Sequence, residues 1–217
     1  MQEQNNKQPE MIKKYIKSYS RFFNDNIENS PCDVQKKKIV DKSINKAYKN
    51  EYGSVFNLYN IFRIKIAETE LMIAKYIYKE ENHTVERSAL YLKEKDNNLL
   101  ISDISGEKAY FDIVCIGNKI QPFIVSVCIR DFGGSYTMYS ISNKGDLIQV
   151  ASFSLKRYWI KYKDIDNDGV YEIIHCNEGL NEKDQYGAEV SFYKWDNKTF
   201  NKIGSFYFDP KYADVNY

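Results

Sequence analysis

The sequence predicts an α+β protein, with N-terminal helices followed by an antiparallel β region of two propeller-blade-like repeats. Three observations carry that expectation. An apolar stripe at helical spacing opens the chain, short β-prone runs between turn signals fill its second half, and that half aligns with itself at a period of about 50 residues. The 217 residues are 43% apolar and 28% charged, enough for a real core, which excludes a disordered chain, a collagen or a coiled-coil rod. With 31 Lys and Arg against 30 Asp and Glu, the net charge of +1 argues against nucleic acid as the main partner.

Residues 1–8 are polar, with neither the basic nor the apolar region of a signal peptide, and read as a flexible leader. Such a leader resembles the spacer behind the lipidated cysteine of a bacterial lipoprotein; the alternative is an ordinary cytoplasmic N-terminus. From Pro9, the residues Ile12, Tyr15, Ile16, Tyr19, Phe22 and Phe23 fall at i, i+3, i+4 and i+7, the stripe of an amphipathic helix. After the break at Asn29–Asp33, Asp33 is placed to cap a second helix through Val40, Ile44, Ala47 and Tyr48. Residues 1–50 hold 11 basic and 6 acidic side chains, so these helices either pack on the core with solvated lysines or lie against a membrane surface or partner. Residues 55–80 read as a strand, from the alternation of Phe62, Ile64 and Ile66, giving way to a helix on Ala67, Leu71, Ala74, Ile77 and Tyr78. The mainly helical region thus runs over 9–83.

From residue 84 to 217 the chain reads as β, with turn signals at Lys95–Asn98, Gly117-Asn118, Gly133-Gly134, Asn143–Gly145, Asn167–Gly169 and Asp196-Asn197. The two copies of the repeat span about 109–156 and 157–208, and each reads as about four short strands. Two copies cannot close a ring, so their sheets are expected to pack on each other or on the N-terminal helices. The longest apolar run, Pro122–Ile129, is far short of the roughly 18 residues of a membrane-spanning helix. Cys32, Cys115, Cys128 and Cys176 form no zinc-ligand spacing; buried free thiols are expected at Cys115 and Cys128, with one disulfide open to an exported protein.

The specific signal is Asp164-Ile-Asp-Asn-Asp-Gly169-Val-Tyr-Glu172. Carboxylates at loop positions 1, 3 and 5 converge when the backbone turns tightly, and a glycine at position 6 permits the turn. An all-oxygen set suits calcium: Asp164, Asp166, Asp168, the Val170 carbonyl and Glu172. Residues 164–189 hold eight acids and one lysine, a charge that a cation would relieve. An EF-hand is excluded, because position 12 is His175 and both flanks are β-prone. The pattern resembles the FG-GAP or VCBS-type repeat of integrin-like β-propellers and bacterial surface proteins. Glu172 replaces that family's usual last Asp, Ile173-Ile174 matches its hydrophobic strand, and Tyr193-Lys-Trp195 with Asp196-Asn197 and Phe200 is similar to its aromatic hairpin. In the first copy Cys115, Gly117, Lys119 and Phe123 stand at the ligand places, so one site is expected. The other reading of the loop is a metal-free Asx turn.

Asp131-Phe-Gly133 lacks every other kinase motif, and neither His83 nor His175 has a nucleophile in a recognisable signature. Glu68 with Glu70, and Glu172 with Glu178, are carboxylate pairs without a pocket; Tyr158, Trp159, Tyr162, Tyr171 and Trp195 offer an aromatic face for a sugar or peptide. The sequence therefore points to a non-enzymatic, exported or surface-tethered module that binds a protein or glycan and carries one structural calcium. The rival is an inhibitor or immunity protein whose acidic segment meets a basic toxin or hydrolase, and a cytoplasmic location is the alternative.

Overall fold

The computed structural model describes residues 34, 36–50, 52–66, 68–80, 83–93, 98–117, 120–130, 133–142, 146–155, 160–180 and 186–208. All regular structure among them is β. A six-stranded antiparallel sheet contains β1 (Lys37–Ile39), β2 (Ala47–Lys49), β3 (Val55–Ile66), β4 (Thr69–Glu80), β5 (His83–Lys93) and β6 (Asn98–Gly106), in the order β1-β3-β4-β5-β6 with β2 also paired to β3. A four-stranded sheet follows, a meander of β7 (Lys108–Val114), β8 (Phe123–Arg130), β9 (Gly133–Ile141) and β10 (Leu147–Leu155). A second four-stranded meander consists of β11 (Ile160–Lys163), β12 (Glu172–Leu180), β13 (Tyr186–Trp195) and β14 (Phe200–Phe208).

The α+β expectation is thereby corrected to a β-rich fold. Val40, Ile44, Ala47 and Tyr48 lie in and between β1 and β2 rather than on a helix, and the helical face expected through Leu71, Ala74, Ile77 and Tyr78 is strand β4. The first expected helix at 9–23, the leader 1–8 and the cap at Asp33 lie outside the described residues.

Strand β4 has a helix-like pattern because it is buried on both faces. Leu71 and Ile73 point into one apolar cluster with Ile64, Ile66, Leu90, Phe111, Ile113, Ile124 and Ile141. Met72, Ala74 and Tyr76 point the other way, into a cluster with Ile44, Phe56, Ile61 and Ala89. A strand that buries alternate residues in two opposite cores is apolar at nearly every position, so periodicity alone does not distinguish it from a buried helix. The first cluster joins the six-stranded sheet face to face with the β7–β10 meander, and the second is closed by Ile44 from the β1–β2 connection. Neighbouring strands β3 and β4 carry a bulge at Leu58/Asn60, with Leu58 opposite Tyr76 and Asn60 opposite Lys75. Tyr59 is the extra residue, and it lets Phe56 and Ile61, of opposite parity, share one face.

Where β9 meets β8, a Cβ on Gly134 would collide with the Cys128 carbonyl, and at the end of β6 one on Gly106 would collide with the Ile129 carbonyl; both positions need the smallest residue because backbone approaches backbone. Of the cysteines, Cys128 is a buried free thiol as expected, whereas Cys115 is disulfide-bonded, a correction to the free thiol expected there.

The chain divides into two compact units, one comprising Pro31–Cys115 and Lys119–Leu155, the other including Ile116–Asn118 and Lys156–Tyr217. The first holds the six-stranded sheet and the β7–β10 meander, and the second holds β11–β14 with a core of Ile173, Ile174, Cys176, Val190, Phe192 and Phe200.

Leu71 is 0% exposed and Leu99 is 51% exposed, so the two leucines test the strand assignment directly. Leu71→Ala is expected to lower the unfolding free energy by roughly 2–5 kcal/mol in urea titrations, and Leu99→Ala by less than about 0.5 kcal/mol.

Candidate metal centre

The loop Asp164–Tyr171 joins β11 to β12, and the pair Lys163↔Glu172 closes it. Its short carboxylates organise the turn before any ligand is considered. Asp164 accepts from the amides of Asp168 (3.1 Å) and Gly169 (2.9 Å), Asp166 accepts from Asp168 (3.3 Å), and Asp168 accepts from Val170 (2.8 Å). These are the self-bonding habits of aspartate in Asx turns. Asn167 and Gly169 take positive φ, 60° and 83°; nothing stands within 4 Å of a Cβ placed on Gly169, so its requirement is conformational and not one of space. Beyond the loop, the Tyr171 amide donates to the Ile116 carbonyl at 2.6 Å.

Oxygens of Asp164, Asp166 and Glu172 lie within 4.8 Å of one another. Asp168 stands outside this trio, exposed, and reaches it through a lysine. Val170, expected to lend its carbonyl, is half-buried at the end of the turn with its amide on Asp168. Glu172 is 0% exposed. Its Oε2 accepts from the Ile165 amide at 2.8 Å, while Oε1 is buried without a hydrogen-bond partner. An oxygen left in that state is costly, and it is the donor type that a hard cation takes.

Sequence reasoning missed Lys194. Its ammonium pairs with Asp166, with Asp168 at 2.6 Å and with Glu172 Oε1 at 3.5 Å. Its place follows from the hairpin register: Ile173 sits opposite Tyr193, so the next position along β12 and β13 sets Glu172 against Lys194. Strand β13 is held in register by the Asp196 turn, where Asp196 accepts from the amides of Lys198 (2.8 Å) and Thr199 (2.7 Å), and by Trp195 packed on Phe200 with centroids 5.1 Å apart.

The electrostatics follow from these positions. Burial, then the charges of Asp166 and Asp168, push the Glu172 carboxyl from its ordinary 4.5 up to about 7, against the pull of the Ile165 amide and Lys194. The hydrogen bond from Lys194 holds Asp168 below the usual carboxylate range. Burial alone would lower the Lys194 ammonium, but its bonds to Asp166 and Asp168 and the charge of Glu172 outweigh burial and raise it.

Among the described residues, the remaining candidates are not assembled into a site. Glu68 pairs with Lys65 and Glu70 with Arg63 (3.1 Å) on the surface; His83 is exposed and His175 is buried in β12. Tyr162, Tyr171 and Trp195 are half-buried, while Tyr158, Trp159, Lys119 and Asp131 lie outside the described residues. At the first-copy places, Cys115 and Phe123 are buried and supply no carboxylate. The unit of the six-stranded sheet has a separate cavity of about 560 Å³, with Tyr48, Tyr52, Arg87, Asp103 and Arg130 among its lining residues. There the Arg87 guanidinium sits 3.4 Å above the Tyr48 ring and pairs with Asp103.

A carboxyl whose pKa is higher folded than unfolded binds its proton more tightly in the native state, so Glu172 contributes most below about pH 4.5 and that contribution is lost as pH rises through about 7. The metal-free protein is expected to lose roughly 1–3 kcal/mol of stability across that window, and Glu172→Gln to flatten the slope; chemical denaturation at a series of pH values checks both. No model of a known protein family, no curated protein and no solved structure matches the chain.

Proposed function

We propose that this chain is a non-enzymatic extracytoplasmic binding module in which one calcium ion clips the β11–β12 hairpin. The observation that carries the reading is the buried, hydrogen-bond-deficient Oε1 of Glu172 beside Asp164 and Asp166. Those residues fit the ion: the donors are all hard oxygens, and the tight loop gathers them without help from distant parts of the chain. A raised carboxyl pKa is also the mark of a catalytic acid; here the burial of Glu172 beneath Lys194, with Asp164 and Asp166 beside it, favours a holding role. The same inward orientation, with Lys194 already engaging Asp166 and Asp168, weighs against a loop offered to a basic toxin.

Export is supported by the disulfide at Cys115, since such bonds persist in oxidising compartments. For recognition, the cavity beside Tyr48 and Arg130 combines aromatic faces with polar groups, and Tyr52 on its lining is 84% exposed. That combination suits a glycan or a protein side chain.

Calcium is expected to raise the melting temperature over that in chelator, because a ligand bound only by the folded state stabilises by about 2.7 kcal/mol at a hundredfold excess over Kd. The affinity belongs near that of extracellular modules, roughly 10⁻⁴–10⁻³ M, and magnesium should do less because its octahedral shell suits this cage poorly. Asp166→Asn should abolish the response. Identical wild-type melting curves in calcium and in chelator would leave the loop a plain turn. Separately, dithiothreitol is expected to lower the melting temperature through loss of the Cys115 bond, and an unchanged curve would remove the support for export.

A further inference from the structure

We propose that Lys194 is the protein's own counter-ion for the Asp164–Glu172 loop and that a divalent cation enters only by displacing its ammonium, so that Lys194 sets the affinity of the site. The inference rests on the calcium reading above. Its basis is geometric. The ammonium has three donors, and it faces three carboxylates: Asp166, Asp168 at 2.6 Å and Glu172 at 3.5 Å. Two of them take hydrogen bonds, but 3.5 Å in this geometry leaves Glu172 Oε1 without one. Lysine therefore neutralises the loop incompletely, and the deficit falls on the most deeply buried oxygen of the group.

A divalent ion among Asp164, Asp166 and Glu172 satisfies that oxygen and brings twice the charge. It also stands beside the ammonium in a poorly solvated place, where two like charges repel strongly. Asp166 and Glu172 belong to both sets of contacts, so cation and ammonium compete for the same oxygens. Lys194 is placed to yield, because its side chain is partly exposed, at 31%, and sits on a flexible stem. The loop thus has two occupants: lysine holds the hairpin together when calcium is scarce, and calcium releases the lysine when it is plentiful.

The test compares calcium affinities of wild type and Lys194→Met by isothermal titration, with Lys194→Gln as a second variant should the first fail to fold. Both variants are expected to bind calcium at least about tenfold more tightly than wild type. Calcium should also raise the acetylation of Lys194 by an amine-reactive ester in the wild-type chain, read by mass spectrometry. Equal or weaker affinity in the variants, with wild type binding normally, overturns the role of Lys194 and leaves the calcium site standing. A silent wild type beside a variant that gains binding upholds the role of Lys194 and overturns calcium occupancy of the native protein. Silence in both overturns both, and acetylation of Lys194 indifferent to calcium overturns the displacement.

Discussion

A carboxylate that folding removes entirely from water must be given a counter-charge, a set of donors or a proton, and the β11–β14 sheet is organised around meeting that demand at Glu172. The side chain stands at the mouth of a hairpin, where the loop comes back on itself and lends the Ile165 amide to one oxygen. Strand β13 supplies Lys194 from the other side. The register of β12 on β13, with Ile173 opposite Tyr193, sets that lysine against Glu172, the first residue of β12. The loop is thus pre-shaped by the hydrogen bonds of its own aspartates to its backbone amides, and the one acceptor it leaves without a donor is Oε1 of Glu172.

The other unit meets a different demand, that of covering both faces of one sheet. Strand β4 buries Leu71 and Ile73 against the β7–β10 meander and Met72, Ala74 and Tyr76 beneath Ile44. This is how short β1 and β2 are used: their connection lays Ile44 on the outer core, and β2 brings Tyr48 to Phe56 and under Arg87. Arg87, only 7% exposed, satisfies its charge with Asp103 while its flat face packs on the Tyr48 ring. The wall of the cavity is therefore held in place by the same contacts that close the core.

Much of the second half was legible because its signals are local. Asp-Asn-Asp-Gly and Asp196-Asn197 announce turns through their own side chains; both turns form, with the expected positive φ at Gly169 and a positive φ at Asn197 as well. The convergence of Asp164, Asp166 and Glu172 was legible for the same reason, and that of Asp168 only in part. The first half was misread where the governing contact is remote in sequence. Leu71, Ala74, Ile77 and Tyr78 fall at helical intervals only because β4 is apolar on both sides, and the layers that make it so come from residues near 44 and near 124. Lys194 escaped notice because its meaning depends on strand register and not on its neighbours in the chain.

The bulge at Tyr59 shows how far such dependence reaches. The side chain of Tyr59 is largely solvated and belongs to neither core cluster, yet the residue is a spacer that reverses which side of β3 faces which layer. Upstream of it Phe56 and Leu58 face the outer core; downstream, Ile61 joins them while Phe62, Ile64 and Ile66 face the inner one. Were the position deleted, either the first group or the second would have to turn over, since parity along a strand is conserved. Strand β3 is thus indifferent to the identity of its residue 59 and intolerant of its loss, so the length of this segment is under tighter constraint than its composition.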